Sequence, residues 1–107
     1  MSLPQPSERE LLVNILEPLF DDFQFWFARS QNLLETENID FLSEGEQADL
    51  LERVKHAQQE VATAKMLFHA TGEQVGVELS TLTPWHQLVT QCWQVSQRWR
   101  LSQQQDG

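Results

Sequence analysis

One cysteine, seven basic residues and no long apolar run set the first limits on this 107-residue chain. Cys92 alone can form neither an internal disulfide nor a thiolate-rich metal site, and a reducing interior suits such a protein best. Nowhere does the chain hold the roughly 18 consecutive apolar residues that a membrane span needs, and Met1 to Pro6 lacks a basic region followed by an apolar one. The sequence therefore predicts no membrane insertion, no secretion and a cytoplasmic location. Seven lysines and arginines against 16 acids give a formal net charge of −9. An acidic surface repels both the phosphate backbone and anionic lipid, which argues against nucleic acid and membrane surfaces as partners. Catalytic and cofactor motifs are missing too, as are internal repeats, and the 14 glutamines are too scattered for low complexity.

What is present describes a small globular protein. Hydrophobic residues make up 40% and charged residues 21%, enough for one domain over residues 1–107 that buries roughly 65% of its unfolded surface. The acids crowd the front half: residues 1–52 hold 12 against Arg9 and Arg29, whereas residues 53–107 hold four against five bases. Such a half suits a basic protein surface, or simply keeps the chain in solution.

Three segments open with a capping signal and carry an apolar stripe at helical spacing. Pro4 and Pro6 keep residues 1–6 as a tail, and Ser7 with Glu10 forms a capping box for a helix over about 8–35. Its stripe runs from Leu11 and Leu12 through Phe20, Phe23 and Phe27 to Leu33 and Leu34, roughly 42 Å of helix. Pro18 removes a backbone donor inside it and predicts a kink, or a short helix followed by a longer one. Residues 36–42 lose the pattern and form a connection in which Ile39, Phe41 and Leu42 cover one end of the core. Ser43 and Glu46 make a second capping box, opening a helix over about 44–71 whose seam, Leu50, Val54, Ala57, Val61, Ala64 and Phe68, alternates steps of four and three. Thr71-Gly72 ends it. Residues 73–82 are expected to be irregular, and Thr83-Pro84, with threonine as cap and proline in the first turn, restarts the chain as a helix over about 84–102 with Trp85, Leu88, Cys92, Val95 and Trp99 in its stripe. The expected fold is all-α, a three-helix and mostly antiparallel bundle.

The polar residues offer little chemistry. Glu52, His56 and Glu60 stack along one side of helix 2, but a metal-binding bundle of the di-iron kind needs Glu-x-x-His pairs, which do not occur, and these side chains point away from the seam. Glu37 with Asp40 and Glu46 with Asp49 have the spacing of the acidic pairs that hold magnesium in a helical pyrophosphatase. Both pairs border the connection, where Glu46 already caps a helix. His56, His69 and His86 share no face, and Cys92 lies mid-stripe as a small buried hydrophobe rather than a nucleophile or pigment attachment point.

The aromatics are more informative. Five of the eight residues from Phe20 to Phe27 are aromatic, and Phe25 points nearly opposite to Phe20, Phe23, Trp26 and Phe27. Trp93 is about 130° from the centre of the helix 3 stripe, and Met66 is off the helix 2 seam. Phe25 and Trp93, with a neighbouring acid such as Asp21, define a candidate contact surface unless a loop covers them.

Three runs resemble a family together: Glu17-Pro18-Leu19-Phe20-Asp21-Asp22-Phe23, then Glu46-Gln47-Ala48-Asp49-Leu50-Leu51 with Val54-Lys55, then Pro84-Trp85-His86-Gln87-Leu88-Val89 with Cys92-Trp93. They are similar to a family of short uncharacterised cyanobacterial proteins, over about Leu11 to Arg100. The resemblance implies a cyanobacterial, cytoplasmic origin and assigns no activity, cofactor or site. The expected function is a non-enzymatic interaction module with a protein partner or a second copy of itself, without metal or cofactor. The alternatives are a small helical metal- or pigment-binding protein or helical hydrolase, and a subunit that folds only against another chain.

Overall fold

The computed structural model describes residues 8–70 and 79–105, with side chains placed over 14–70 and 82–104. Its first element, α1, runs as one helix over Glu8–Thr36 with Pro18 inside it, rather than as a short helix followed by a longer one. The tail, the Ser7 cap and the Thr71-Gly72 stop lie outside the described residues.

The second capping box forms as its residues predict. The Glu46 amide donates to Ser43 Oγ at 3.0 Å and the Ser43 amide to Glu46 Oε1 at 2.9 Å, so two donors of the helix start are satisfied before α2 continues over Glu44–Ala70. The Ser43 amide, and next the Ser43 hydroxyl, hold the Glu46 carboxyl below the ordinary glutamate range. A lowered carboxyl stabilises the fold above its unfolded pKa, and that contribution is lost as the pH falls through the lowered value. In an acid titration followed by NMR, the first turn of α2 is expected to fray only below the ordinary glutamate range. Glu46→Gln is expected to remove that step; fraying already present at mildly acidic pH would contradict the assignment.

The third helix differs from expectation. α3 spans Leu79–Gln105, so residues 79–82 are helical and Pro84 lies inside the helix instead of in its first turn. Leu82 packs against the core in line with Trp85 and Val89. That burial outweighs the one backbone bond lost at Pro84, which sits on the exposed side. The rest of the segment expected to be irregular lies outside the described residues.

α1 is the element on which both others pack, and α2 and α3 approach each other only weakly. Phe20 meets Phe68 edge-on at 5.8 Å, Asp21 Oδ1 accepts from Lys65 Nζ at 2.7 Å, and Glu17 lies 3.1 Å from His69, which makes α2 antiparallel to α1. Phe23 against Trp85 and Trp26 against Trp93 make α3 run with α1 and antiparallel to α2. Phe20, Phe27, Phe68, Ile39, Val54 and Val61 are fully buried along this spine. The bundle measures 62 × 30 × 20 Å with a radius of gyration of 17.5 Å, against about 13 Å for a compact domain near this length. It is two helices thick in its short dimension.

One side chain fastens the turn from α1 to α2. Gln47 Nε2 donates to the carbonyls of Leu34 and Glu37, each at 2.8 Å, and its Oε1 accepts from the Ile39 amide at 3.1 Å. Carbonyls at the end of α1 that lack helical donors are thereby satisfied, and Ile39 is seated fully buried in the core. On the other side, the Arg98 guanidinium of α3 stacks over the Phe41 ring at 4.4 Å.

Candidate interaction surface

Phe20, Phe23 and Phe27 fill the side of α1 that faces the core, which leaves Phe25 on the opposite side and 56% exposed. Trp93, on the flank of the α3 stripe, is 49% exposed. The two come together through Trp26. Its half-buried ring stands edge-on to Phe25 at 5.2 Å and to Trp93 at 6.0 Å, and the Arg29 guanidinium lies 6.0 Å from its centre. The result is a continuous aromatic ridge crossing from α1 to α3, with a cation at its edge.

Beside the ridge, α1 and α3 enclose a half-open groove of about 400 Å³, lined in part by Ser30, Asn32, Ser96 and Trp99. Arg29 and Arg100 line it with Glu37 as the one acid, and among the described residues neither arginine is ion-paired. A locally cationic wall thus stands in a chain of net charge −9. Along α1, Asp22, Phe25, Trp26 and Arg29 are three and four residues apart and share one exposed strip. Asp21 is one turn before Phe25 and is held by Lys65 on the α2 side; the acid beside the ridge with no ion pair among the described residues is Asp22.

The other candidates stay apart. His56 lies 3.9 Å from Glu60 on an exposed face of α2 with Glu52 a turn away, His69 faces Glu17, and His86 is exposed on α3. Among the described residues no three His, Cys, Asp or Glu side chains converge to hold a metal ion. Glu46 is engaged in its cap and does not join Asp49, while Glu37 and Asp40 border the connection. Met66 is exposed on α2.

Cys92 is 5% exposed. Burial pushes its thiol up, and only partial relief comes from a hydrogen bond with Ser30 and the charge of Arg53. A buried neutral thiol is inert. At mildly alkaline pH the native protein is expected to react with a thiol reagent at least about tenfold more slowly than the unfolded chain; equal rates would place Cys92 outside the core.

Two features of the structure escape a sequence reading. Trp26 falls within the buried stripe of α1, and only its position next to Phe25 hints that it links core to surface. Gln47 resembles any polar residue early in a helix, and no spacing marks it as the tie of the turn.

Fold and surface define a small all-α protein: a three-helix bundle, with no helix among the described residues long and apolar enough to cross a membrane, bearing an exposed aromatic ridge between two helices. The chain belongs to the family described as protein of unknown function (DUF2605), whose profile matches residues 6–101. No curated protein and no solved structure matches it.

Proposed function

We propose that this chain is a non-enzymatic, cytoplasmic protein–protein interaction module, cyanobacterial in origin, that docks through the Phe25, Trp26 and Trp93 ridge. The observation that carries this reading is the linkage of two half-exposed rings through a third that is anchored in the bundle. Rigid aromatic side chains beside an arginine make up the usual energetic centre of an interface, because they bury much area at little cost in conformational freedom. A bend of α1 at Pro18, one turn before Asp22, belongs to the same proposal; residual dipolar couplings that fit one straight axis over residues 8–36 would remove it.

The test is affinity capture from the source organism, with two differently tagged copies so that self-association is scored with other partners. Phe25→Ala and Trp93→Ala are both expected to lose the partner that the unchanged protein holds. Each should cost about 1–2 kcal/mol and leave the fold intact, since each ring is half-exposed and gives up one edge-on contact with Trp26. Full retention of that partner by both variants, or no partner of either kind, would overturn the reading.

A further inference from the structure

We infer that the occupant of the aromatic ridge is a second copy of this chain, docked with its α1 antiparallel about a twofold axis that passes between Phe25 and Trp26. The inference rests on the ridge being an interaction surface and adds the identity of the partner.

The order of charges along the exposed strip of α1 carries it. Asp22 precedes the aromatic pair and Arg29 follows it, each one turn away and equally far from the midpoint between Phe25 and Trp26. A twofold axis at that midpoint sets Phe25 against Trp26 of the other copy, Asp22 against its Arg29 and Arg29 against its Asp22. Two opposite-charge contacts, separated by seven residues or about 10.5 Å, then flank an apolar centre. Parallel docking would oppose Asp22 to Asp22 and Arg29 to Arg29, so repulsion selects the antiparallel arrangement. Both side chains are exposed and neither has an ion pair among the described residues, so no ion pair described within the chain need break.

Local charge is compatible with self-association at this face. Two chains of charge −9 repel wherever their acids meet. That repulsion is weakened at the α1/α3 groove, because Arg29 and Arg100 line it with Glu37 alone opposing them. The first 52 residues hold two bases, and one of them, Arg29, stands here. An isologous contact across this face also gives a bundle two helices thick another layer on its open side.

Sedimentation equilibrium on the full chain tests the inference. At about 100 μM the expected mass is twice the 12.5 kDa of one chain. Asp22→Arg alone and Arg29→Asp alone each oppose like charges twice, and each is expected to weaken the dimer at least about tenfold. Mixed one to one, those two variants complement each other and are expected to form a mixed dimer; the double variant D22R/R29D is expected to recover self-association. A monomeric unchanged protein, a dimer that tolerates both single changes, or failure of the mixed pair to associate would each overturn it. The outcomes separate the two levels. A monomer that still loses its cellular partner through Phe25→Ala and Trp93→Ala overturns the twofold dimer and leaves the docking surface standing. A dimer indifferent to those two changes as well as to the charge reversals overturns both.

Discussion

Phe27→Ala is expected to lower the stability of the fold by about 3–5 kcal/mol, the largest effect of any single truncation described for this protein. Phe27 is fully buried and stacks on Phe23 at 6.1 Å, and Phe23 in turn meets Trp85 of α3 edge-on at 5.6 Å. Removing the ring takes the centre out of the line along which α1 receives both other helices. In a bundle this thin there is little surrounding core to collapse into the cavity, which puts the cost in the upper part of the range. Since whole domains are stable by about 5–15 kcal/mol, the variant should melt far below the parent or fail to fold cooperatively. Urea unfolding followed by circular dichroism measures it, and a loss under about 1 kcal/mol would mean that Phe27 is not the packed centre of the bundle.

Gln47→Met is expected to cost about 2–3 kcal/mol, although it keeps the length and much of the shape of the side chain. The cost arises from the main-chain groups that Gln47 serves. The Leu34 and Glu37 carbonyls lose their donor and the Ile39 amide loses its acceptor, two of the three bonds being in partly buried surroundings. Water can reach the Glu37 carbonyl, which is exposed, but reaches the other two less well. Exchange of the Ile39 amide should accelerate in step with the loss of stability. Gln47→Glu is the informative companion: near neutral pH it sets a carboxylate against two carbonyls at the end of α1, and in acid its protonated form regains a donor. Partial recovery of its stability, relative to the parent, on acidification is expected. Unchanged melting of Gln47→Met would show that the tie contributes nothing.

The helical architecture was legible because several local signals coincide. Ser43 with Glu46 predicts a cap, and the two reciprocal bonds are present. The seam from Leu50 to Phe68 predicts the buried face of α2, and Leu50, Val54, Ala57, Val61 and Phe68 are buried. Thr83-Pro84 misleads for an equally physical reason: proline is a strong local signal for a helix start, but Leu82 gains more by packing against the core than the chain loses at one exposed backbone bond.

Angular position on each helix identified Phe25 and Trp93 as surplus to the core. It could not say that Trp26 links them, because that depends on the rotation of α3 about its axis and its alignment along α1. The same limit explains Asp21 and Asp22. Adjacent acids are equivalent as letters, and only the placement of Lys65 on α2 commits Asp21 to an ion pair and leaves Asp22 beside the aromatic strip. Gln47 was illegible because its partners are main-chain atoms of a turn whose path exists only once the two helices have folded back on each other.

The distribution of indole rings gives the molecule an unplanned optical property. Trp26, Trp93 and Trp99 line the α1/α3 groove, while Trp85, 3% exposed, is sealed in the core. Ultraviolet emission is therefore weighted toward one surface, and Trp85 supplies a constant background. Whatever covers that groove will strip water from the outer indoles and shift their emission to shorter wavelength. The protein carries, without any added dye, a gauge of whether that single face is covered or bare.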